Sequence, residues 1–515
     1  MQHSSKEFYT RQGEGMPEKG LQGRKLRLLS TKKVEEIHKT SLRILEEVGI
    51  SVKDEHYLNL FSRVGASVDR SKQVVRLPAV LVNDLVSLAP TQFLMAGRTR
   101  ENDMWVGDRH VHLGSGGAAV RVLDLESENL RPSTLQDQYD LAWLVEHLDN
   151  VHFYQCPVVC NDIPKEISTI NSFYSALAGT TKNVQESATD TQAVKDVIAM
   201  AAMIAGSRET LRMRPFISFV ASCMISPLQL DARVAGIAEV ALRNGIPVAL
   251  SCAPVTGLSA PATLAGLLSL AHAEQLFAIA LSQIIAPGAR VLYGIVPGIA
   301  DMWNMGFLGG AVEAGMLNAA AVLLAKYIEV PIYADAGAAD ATLPDIQAGY
   351  EKALSILQVS LSGGDYVHHS AGVLDSLMTV AYEQFIIDND INGMAMRVLQ
   401  GIKVNDDTLA FDVIKEVGPG GRFLTQKHTI KYARSDEFYV PTRLTRKHFQ
   451  ARNGETDDIR EGARQIAREI LGKERTALIP ENIDRKIRRR FDIRLPLPYR
   501  STTTAKQKAA VGPAV

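Results

Sequence analysis

From Pro132 to about residue 390 the chain repeats one pattern: a short apolar run, a small-residue loop, then a helical stretch. Strand-like runs fall at Val151–Cys160, Asn183–Ser187, Pro215–Ala221, Ile246–Ser251, Arg290–Ile295, Val330–Asp335 and Tyr366–Ser370. Helical patterns separate them, over Thr134–Leu148, Ile167–Ala178, Thr191–Ala205, Leu228–Asn244, Thr263–Ile285, Gly309–Ile328, Asp345–Leu361 and Asp375–Ile387. Asn389–Met394 is read as the eighth strand, although its Asp, Asn and Gly content suits a strand poorly. Strands alternating with helices pair in parallel with right-handed crossovers. Eight such units within about 260 residues match the roughly 250 that a (β/α)8 TIM barrel needs. The competing open, doubly wound sheet lacks its mark, a GxGxxG turn opening a helix at a first strand.

The clearest unit is Tyr327–Val373. Val330–Asp335 breaks into the loop Ala336–Leu343, Pro344 opens a helix, Gly363-Gly364 closes it, and Tyr366–His369 follows as a strand. That exit loop is longer than a plain connection requires, which marks it as a place for function.

The flanks read differently. Residues 1–135 form an α+β section, with a helix capped by Ser30 or Thr31 and stopped at Gly49, another near Asp54–Val64, and a third over Ala79–Ala89. Short β pieces follow at Phe93–Ala96, Met104–Val106 and His110–Leu113, then the turn Gly114–Gly117. The barrel is assigned to 136–400, a charged helical extension to 401–500, and a disordered Ser/Thr/Lys/Ala-rich tail to 501–515. Charge is balanced, 56 Lys+Arg against 57 Asp+Glu, which argues against nucleic acid as a partner. Four cysteines in 515 residues make no disulfide framework and suit a reducing cytoplasm. The N-terminus is polar, without a signal-peptide core. The most apolar tract, Leu264–Ala286, is interrupted by His272, Glu274 and Gln283, so it reads as a buried helix and no membrane association is expected.

Barrels of this kind keep their chemistry at the C-terminal ends of the strands. Those ends offer Gln155 and Cys156, Gln185 and Glu186, Ser222 and Cys223, Ser251 and Cys252, Tyr293, Asp335, His368 and His369, and Asp388. The loop after Ile295 adds Asp301 and Trp303, and Tyr350 lies one turn into the helix after the long loop. His368 and His369 are adjacent, so on a regular strand only one of them enters the barrel. No metal site is expected. HExxH and CxxC are absent, and Cys156 and Cys160 stand roughly 13 Å apart on an extended strand. No GxSxG elbow is present, and Gly114-Ser115-Gly116-Gly117 lacks the lysine of a phosphate loop. The basic run Arg485–Arg490 reads as a solvated helix face.

Three separated segments carry a resemblance: Leu45-Glu46-Glu47-Val48-Gly49-Ile50, Asp345-Ile346-Gln347-Ala348-Gly349-Tyr350-Glu351, and Gly418-Pro419-Gly420-Gly421-Arg422-Phe423-Leu424. Together they resemble the trimethylamine methyltransferase family over about residues 30–495. That resemblance implies a TIM barrel that moves a methyl group from a methylamine to the cobalt of a partner corrinoid protein. The founding members carry pyrrolysine; this chain has standard residues throughout, which implies the branch acting on quaternary amines such as glycine betaine, proline betaine and carnitine.

The implied chemistry asks little of the protein's own nucleophiles. A quaternary ammonium loses its methyl to cobalt(I) and leaves as a neutral amine, so no general acid is needed. No tightly bound cofactor is expected, the corrinoid coming with its transient partner. The protein must hold a cation in line, and aromatic faces do so at about 0.5–2 kcal/mol each. Trp303, Tyr293 and Tyr350 are the candidate cage, Glu186 the anionic complement, and His368 or His369 the donor to a betaine carboxylate, with Asp335 a further substrate-binding candidate at the same rim. Two alternatives stay open: a zinc-dependent methyltransferase on the same barrel, and a non-catalytic betaine-binding protein. Homo-oligomer formation is also left open.

Overall fold

The structure, a computed structural model, describes residues 21–23, 26–108, 110–301, 303, 305–441 and 458–496, with the side chains of 21 and 22 left aside. The tail expected to be disordered, 501–515, lies outside the described residues.

Eight parallel strands close into a barrel. They are β1 (His110–Ser115), β2 (Phe153–Gln155), β3 (Asn183–Glu186), β4 (Ile217–Ala221), β5 (Val248–Cys252), β6 (Val291–Ile295), β7 (Ile332–Asp335) and β8 (Tyr366–Ala371). β1 pairs in parallel with both β2 and β8, which closes the ring. The helix after each strand lies outside: α1 (Leu135–Glu146), α2 (Lys165–Gly179), α3 (Thr191–Ala205), α4 (Ala232–Arg243), α5 (Leu264–Ile285), α6 (Val312–Tyr327), α7 (Ile346–Ser362) and α8 (Tyr382–Gln400). The seven strands read between Val151 and Ser370 all belong to this ring.

The eighth does not come from Asn389–Met394. Those residues lie within α8, and the missing strand is β1, inside the stretch read as the N-terminal section. The polar residues that spoil a strand there serve a helix. Asn389 Oδ1 accepts from the Asn150 backbone N–H at 3.0 Å, and Asn392 Nδ2 donates to the Asn150 carbonyl at 3.2 Å. Both therefore bracket the turn that leads into β2. The same region shifts the start of α8. Val373–Leu374 and Thr379–Ala381 form a hairpin that pairs with Arg121–Leu123, so the helix begins at Tyr382 and not at Asp375.

Before the barrel, the N-terminal helix Thr31–Arg43 is capped by the Ser30 hydroxyl and continues through Ile44–Val48 to Gly49, as its pattern predicts. It packs on α5, which is long and apolar enough to cross a membrane but has most of its surface buried inside the fold. α5 is a core helix. A second N-terminal element shapes the site more directly. The hairpin Gln92–Met95/Met104–Gly107 covers the strand-entry end of the barrel, anchored where Ala96 N–H meets the Pro215 carbonyl at 3.1 Å. Its Phe93, Met95, Met104 and Val106 join Phe153, Leu292, Tyr333 and Tyr366 in one apolar cluster inside the barrel, separate from the outer core. At about 1.5–3 kcal/mol per buried side chain, that plug seals the lower lumen and leaves the polar layer above it.

Candidate active site at the exit end of the barrel

Alternation along the strands decides what enters the lumen. On β2 Phe153 and Gln155 point inward, on β7 Tyr333 and Asp335, and on β8 Tyr366 and His368. The lower layer is aromatic: Phe153 stacks on Tyr366 with ring centroids 3.6 Å apart. One layer up, the Tyr333 hydroxyl donates to Gln155 Oε1 at 3.0 Å, and its ring lies flat against His368, centroids 3.8 Å apart and 8° from parallel. His368 is 1% exposed, and neither of its ring nitrogens has a hydrogen-bond partner among the described residues. The buried Gln185 amide is equally without one on both its oxygen and its nitrogen. Burial, followed by the neighbouring His369, holds His368 well below its ordinary pKa, so the ring is neutral. Buried polar groups are normally paired, which makes His368 and Gln185 candidate ligand contacts.

His369 departs from the reading that only one histidine could enter. Its φ is +64°, and the β8–β1 register shifts between Val367 and Ala371. The bulge re-aims the side chain, and His369 Nδ1 meets Asp335 Oδ1 at 2.8 Å. Asp335 and His368 are register partners on adjacent strands. One ligand atom each from Asp335, His368 and His369 therefore lies within 4.8 Å of the others. Gly116, at the exit of β1, makes room for them. A Cβ there would stand 2.7 Å from the His369 ring and 3.3 Å from His368 Cβ. The Gly-rich turn thus carries no phosphate loop but shapes the histidine pair.

The exit loop after β7 is buried over most of its length by alanines. Glu351 accepts from Asp340 N–H at 2.8 Å and Ala341 N–H at 3.3 Å, and Asp340 Oδ1 accepts from Gly309 N–H and the Ser376 hydroxyl. Beneath it, the fully buried Lys352 ammonium donates to the carbonyls of Gly337 and Val373 and stands 3.3 Å from Asp388 Oδ2. Asp388 in turn accepts from Gly372 N–H at 2.7 Å. It was read as a strand end; it belongs to α8 and braces the loops from behind. Burial first of all lowers the Lys352 pKa and raises that of Asp388, each offset by the other's charge.

Four expected site residues lie elsewhere. Glu186 takes the outward position next to Gln185, facing α2 beside Ser172 and Cys156; burial pushes its carboxyl up to about 7. Tyr293 is also outward, its hydroxyl 2.9 Å from His272 of α5. Trp303 is 97% exposed in the loop after β6, and Tyr350 is 60% exposed on α7. The cage expected from these residues is not assembled. Tyr333 and Tyr366, not singled out from the sequence, supply the lumen's aromatic surface; alternation back from Asp335 and His368 is the signal that finds them. All four cysteines are buried, with thiols raised by burial, and none belongs to the Asp335–histidine cluster.

A closed βα barrel, plugged at the entry end and holding buried polar groups at the exit end, has the architecture of a barrel enzyme. The chain belongs to the trimethylamine methyltransferase (MTTB) family, whose profile matches residues 5–494. It is 32% identical over 465 residues to the glycine betaine methyltransferase of Desulfitobacterium hafniense strain Y51, covering 90% of this chain and 96% of that one. It is also 32% identical to the trimethylamine methyltransferase MttB of Desulfitobacterium hafniense strain DSM 10664 / DCB-2, covering 88% and 90%. The trimethylamine methyltransferase MttB of Methanosarcina barkeri strain Fusaro is 32% identical over 416 residues, 79% of this chain and 83% of that one.

Proposed function

We propose that this methyltransferase takes a methyl group from a quaternary amine bearing a carboxylate, glycine betaine foremost, and delivers it to a corrinoid carried by a partner protein. The observation that carries this reading is the pair of buried neutral groups, His368 and Gln185, left without partners in the lumen. Each offers an N–H to a carboxylate, which trimethylamine lacks. Asp335, held by His369, would face the ammonium, with the Tyr333 ring beside it as apolar and π surface. A zwitterion lying between these two ends enters the lumen with no net charge to desolvate.

The partner's corrinoid would supply the nucleophile as cobalt(I). The chain's own residues orient the substrate and keep water from the methyl group. No side chain has to move a proton, because the amine leaves neutral. The exit end suits a visiting partner: Trp303, Met305 and Phe307 stand exposed on the loop after β6 at the same rim. Purified chain mixed with cobalt(I) cobalamin or a corrinoid protein should produce the methylated absorbance spectrum with glycine betaine. No spectral change with any of glycine betaine, proline betaine, carnitine or trimethylamine would overturn an enzymatic reading and leave a binding protein.

A second reading rests on one specific observation, the Asp335–His368–His369 cluster. Two imidazoles and a carboxylate suit a divalent metal such as zinc, which would act as a Lewis acid at the mouth. Elemental analysis distinguishes the readings: about one zinc per chain, retained through dialysis, favours the metal.

A further inference from the structure

The basic run Arg485–Arg490 is not a single solvated face. It closes the C-terminal helix Glu481–Arg490, which packs on α3. Asp484 and Ile487 are buried in that contact, and Arg488 turns inward with them. Its Nε donates to Asp484 Oδ2 at 3.1 Å, and its guanidinium lies over the Tyr174 ring of α2. These contacts fix the rotation of the helix. Arg490, three residues on from Ile487, therefore shares the inner side and reaches the seam between α3 and α4, while Lys486 and Arg489 stay in solvent.

A pocket of about 430 Å³ lies at that seam. Four cations from four elements line it: Lys195 of α3, Arg208 of the short helix Arg208–Met213, Arg243 of α4, and Arg490. Asp196 is the one carboxylate that lines it with them. Arg243 is partly engaged, its Nε donating to Glu239 Oε1 at 2.9 Å. Lys195, Arg208 and Arg490 have no ion-pair partner among the described residues, and the Arg490 guanidinium rests 5.3 Å above the Phe491 ring. Elsewhere, arginines that the fold gathers come with carboxylates, Arg131 with Asp124 and Asp137, Arg214 with Asp103, Arg475 with Asp140. Between the cations the lining is apolar, Ile198 and Ala199 being buried and Val240 partly so. Asn244 Nδ2 donates to the Val240 carbonyl and Gln192 Nε2 to Asp196 Oδ1, which leaves both amide oxygens to accept from a ligand.

We propose that this pocket binds an organic phosphate of about nucleotide size carrying two or more negative charges. Charge sets the sign of the ligand, because cations drawn together around one carboxylate repel one another until an anion enters. The arginines set its chemistry. Guanidinium groups meet phosphate oxygens in forked pairs, so arginines from three separate elements can grip one phosphoryl group or two adjacent ones. Size and lining set the rest. The volume falls within the roughly 300–1,000 Å³ of small-molecule sites and far exceeds an inorganic phosphate. The apolar stretch between the cations suits a carbon body, which the Gln192 and Asn244 oxygens can hold by its N–H or O–H groups. An acidic protein surface needs only an exposed basic face, whereas here the charges surround a cavity. The pocket lies outside the barrel and shares no residue with the lumen, so the inference stands apart from the proposed chemistry.

The test is calorimetry on the full chain with ADP, coenzyme A and fructose 1,6-bisphosphate, each without divalent metal. It is run at roughly 0.15 M salt, where loosely gathered surface charge is screened. At least one of the three should bind saturably at one per chain and raise the thermal midpoint. Arg208→Gln with Arg490→Gln should weaken that binding roughly tenfold or more and abolish the thermal shift. Both side chains are exposed, so the midpoint without ligand should be unchanged. Lys486→Gln with Arg489→Gln removes the same charge from the same helix outside the pocket and should change the affinity less than about twofold. Inorganic pyrophosphate should bind more weakly than the organic ligand. Four results would each overturn the proposal: no saturable binding of any of the three, equal losses in the two double variants, pyrophosphate as tight as the organic ligand, or binding of poly-glutamate alone, which would make the patch a dock for an acidic protein.

Discussion

The exit rim of the barrel has two unlike sides. Behind β7 and β8, Lys352 gathers the Gly337 and Val373 carbonyls and Asp388, and the loop Ala336–Leu343 is packed down by alanines. After β6, the loop that bears Trp303 stands in solvent, held near that residue by the Trp303 N–H to Asp301 carboxylate bond at 2.8 Å. The first side sets Asp335 and the histidines at fixed separation. The second is free to meet whatever approaches the mouth. On the proposed reading the braced wall would hold substrate and the open wall would admit the partner.

The braced side should break hardest. Lys352→Met leaves Asp388 buried without its cation and should cost about 3–5 kcal/mol in urea unfolding. Replacing both, Lys352→Met with Asp388→Leu, should recover most of that loss, because the desolvation of two charges is removed together. A single mutant as stable as the native chain would show that the pair does not brace the wall.

Glu186 sharpens the comparison: the residue is half-buried, one carboxylate oxygen is buried and unpaired, and no cation stands beside it among the described residues. Its folded pKa of about 7 lies above the reference 4.5, so the fold favours the protonated form. The stability this contributes is full below about pH 4.5 and is lost as pH rises through 7, a fall of about 3 kcal/mol at ~1.4 kcal/mol per unit. Glu186→Gln should flatten that decline between pH 5 and pH 8 in denaturant titrations. An identical slope in both proteins would refute it.

At the substrate, His368→Ala should weaken glycine betaine binding roughly 10–100-fold by calorimetry, as expected for a hydrogen bond to a charged group worth about 1.5–3 kcal/mol. Trimethylamine, with no carboxylate, should bind the two proteins alike. Equal losses for both ligands would place the ammonium, not the carboxylate, at His368.

The smallest effect belongs to the open side. Trp303→Leu should shift stability by less than about 0.5 kcal/mol, as for other exposed substitutions. Its binding of free betaine should change little, while its rate with a corrinoid protein falls. A large loss in betaine affinity would return Trp303 to the cage expected from its position in the chain.

The periodic pattern was enough to name a closed barrel, because strand–loop–helix units of this length have one dominant way to bury both faces of a parallel sheet. Strand-end position alone puts Asp335, His368 and His369 at one rim, where the structure has them side by side. What local pattern could not decide was direction and partnership. Gln185 and Glu186 are adjacent, and only the register of β3 in the closed ring turns the amide inward and the carboxyl out. His369 enters through a bulge with positive φ, a conformation its own sequence does not announce. His110–Ser115 was legible as a β piece, yet its membership in the barrel depends on β2 and β8 being present to receive it. Asn389–Met394 looked like the missing strand because eight were needed, and its asparagines instead found partners at Asn150. Short-range chemistry determines which elements form; which face of each is used is settled by neighbours far away in the chain, because burial is a property of the assembled whole.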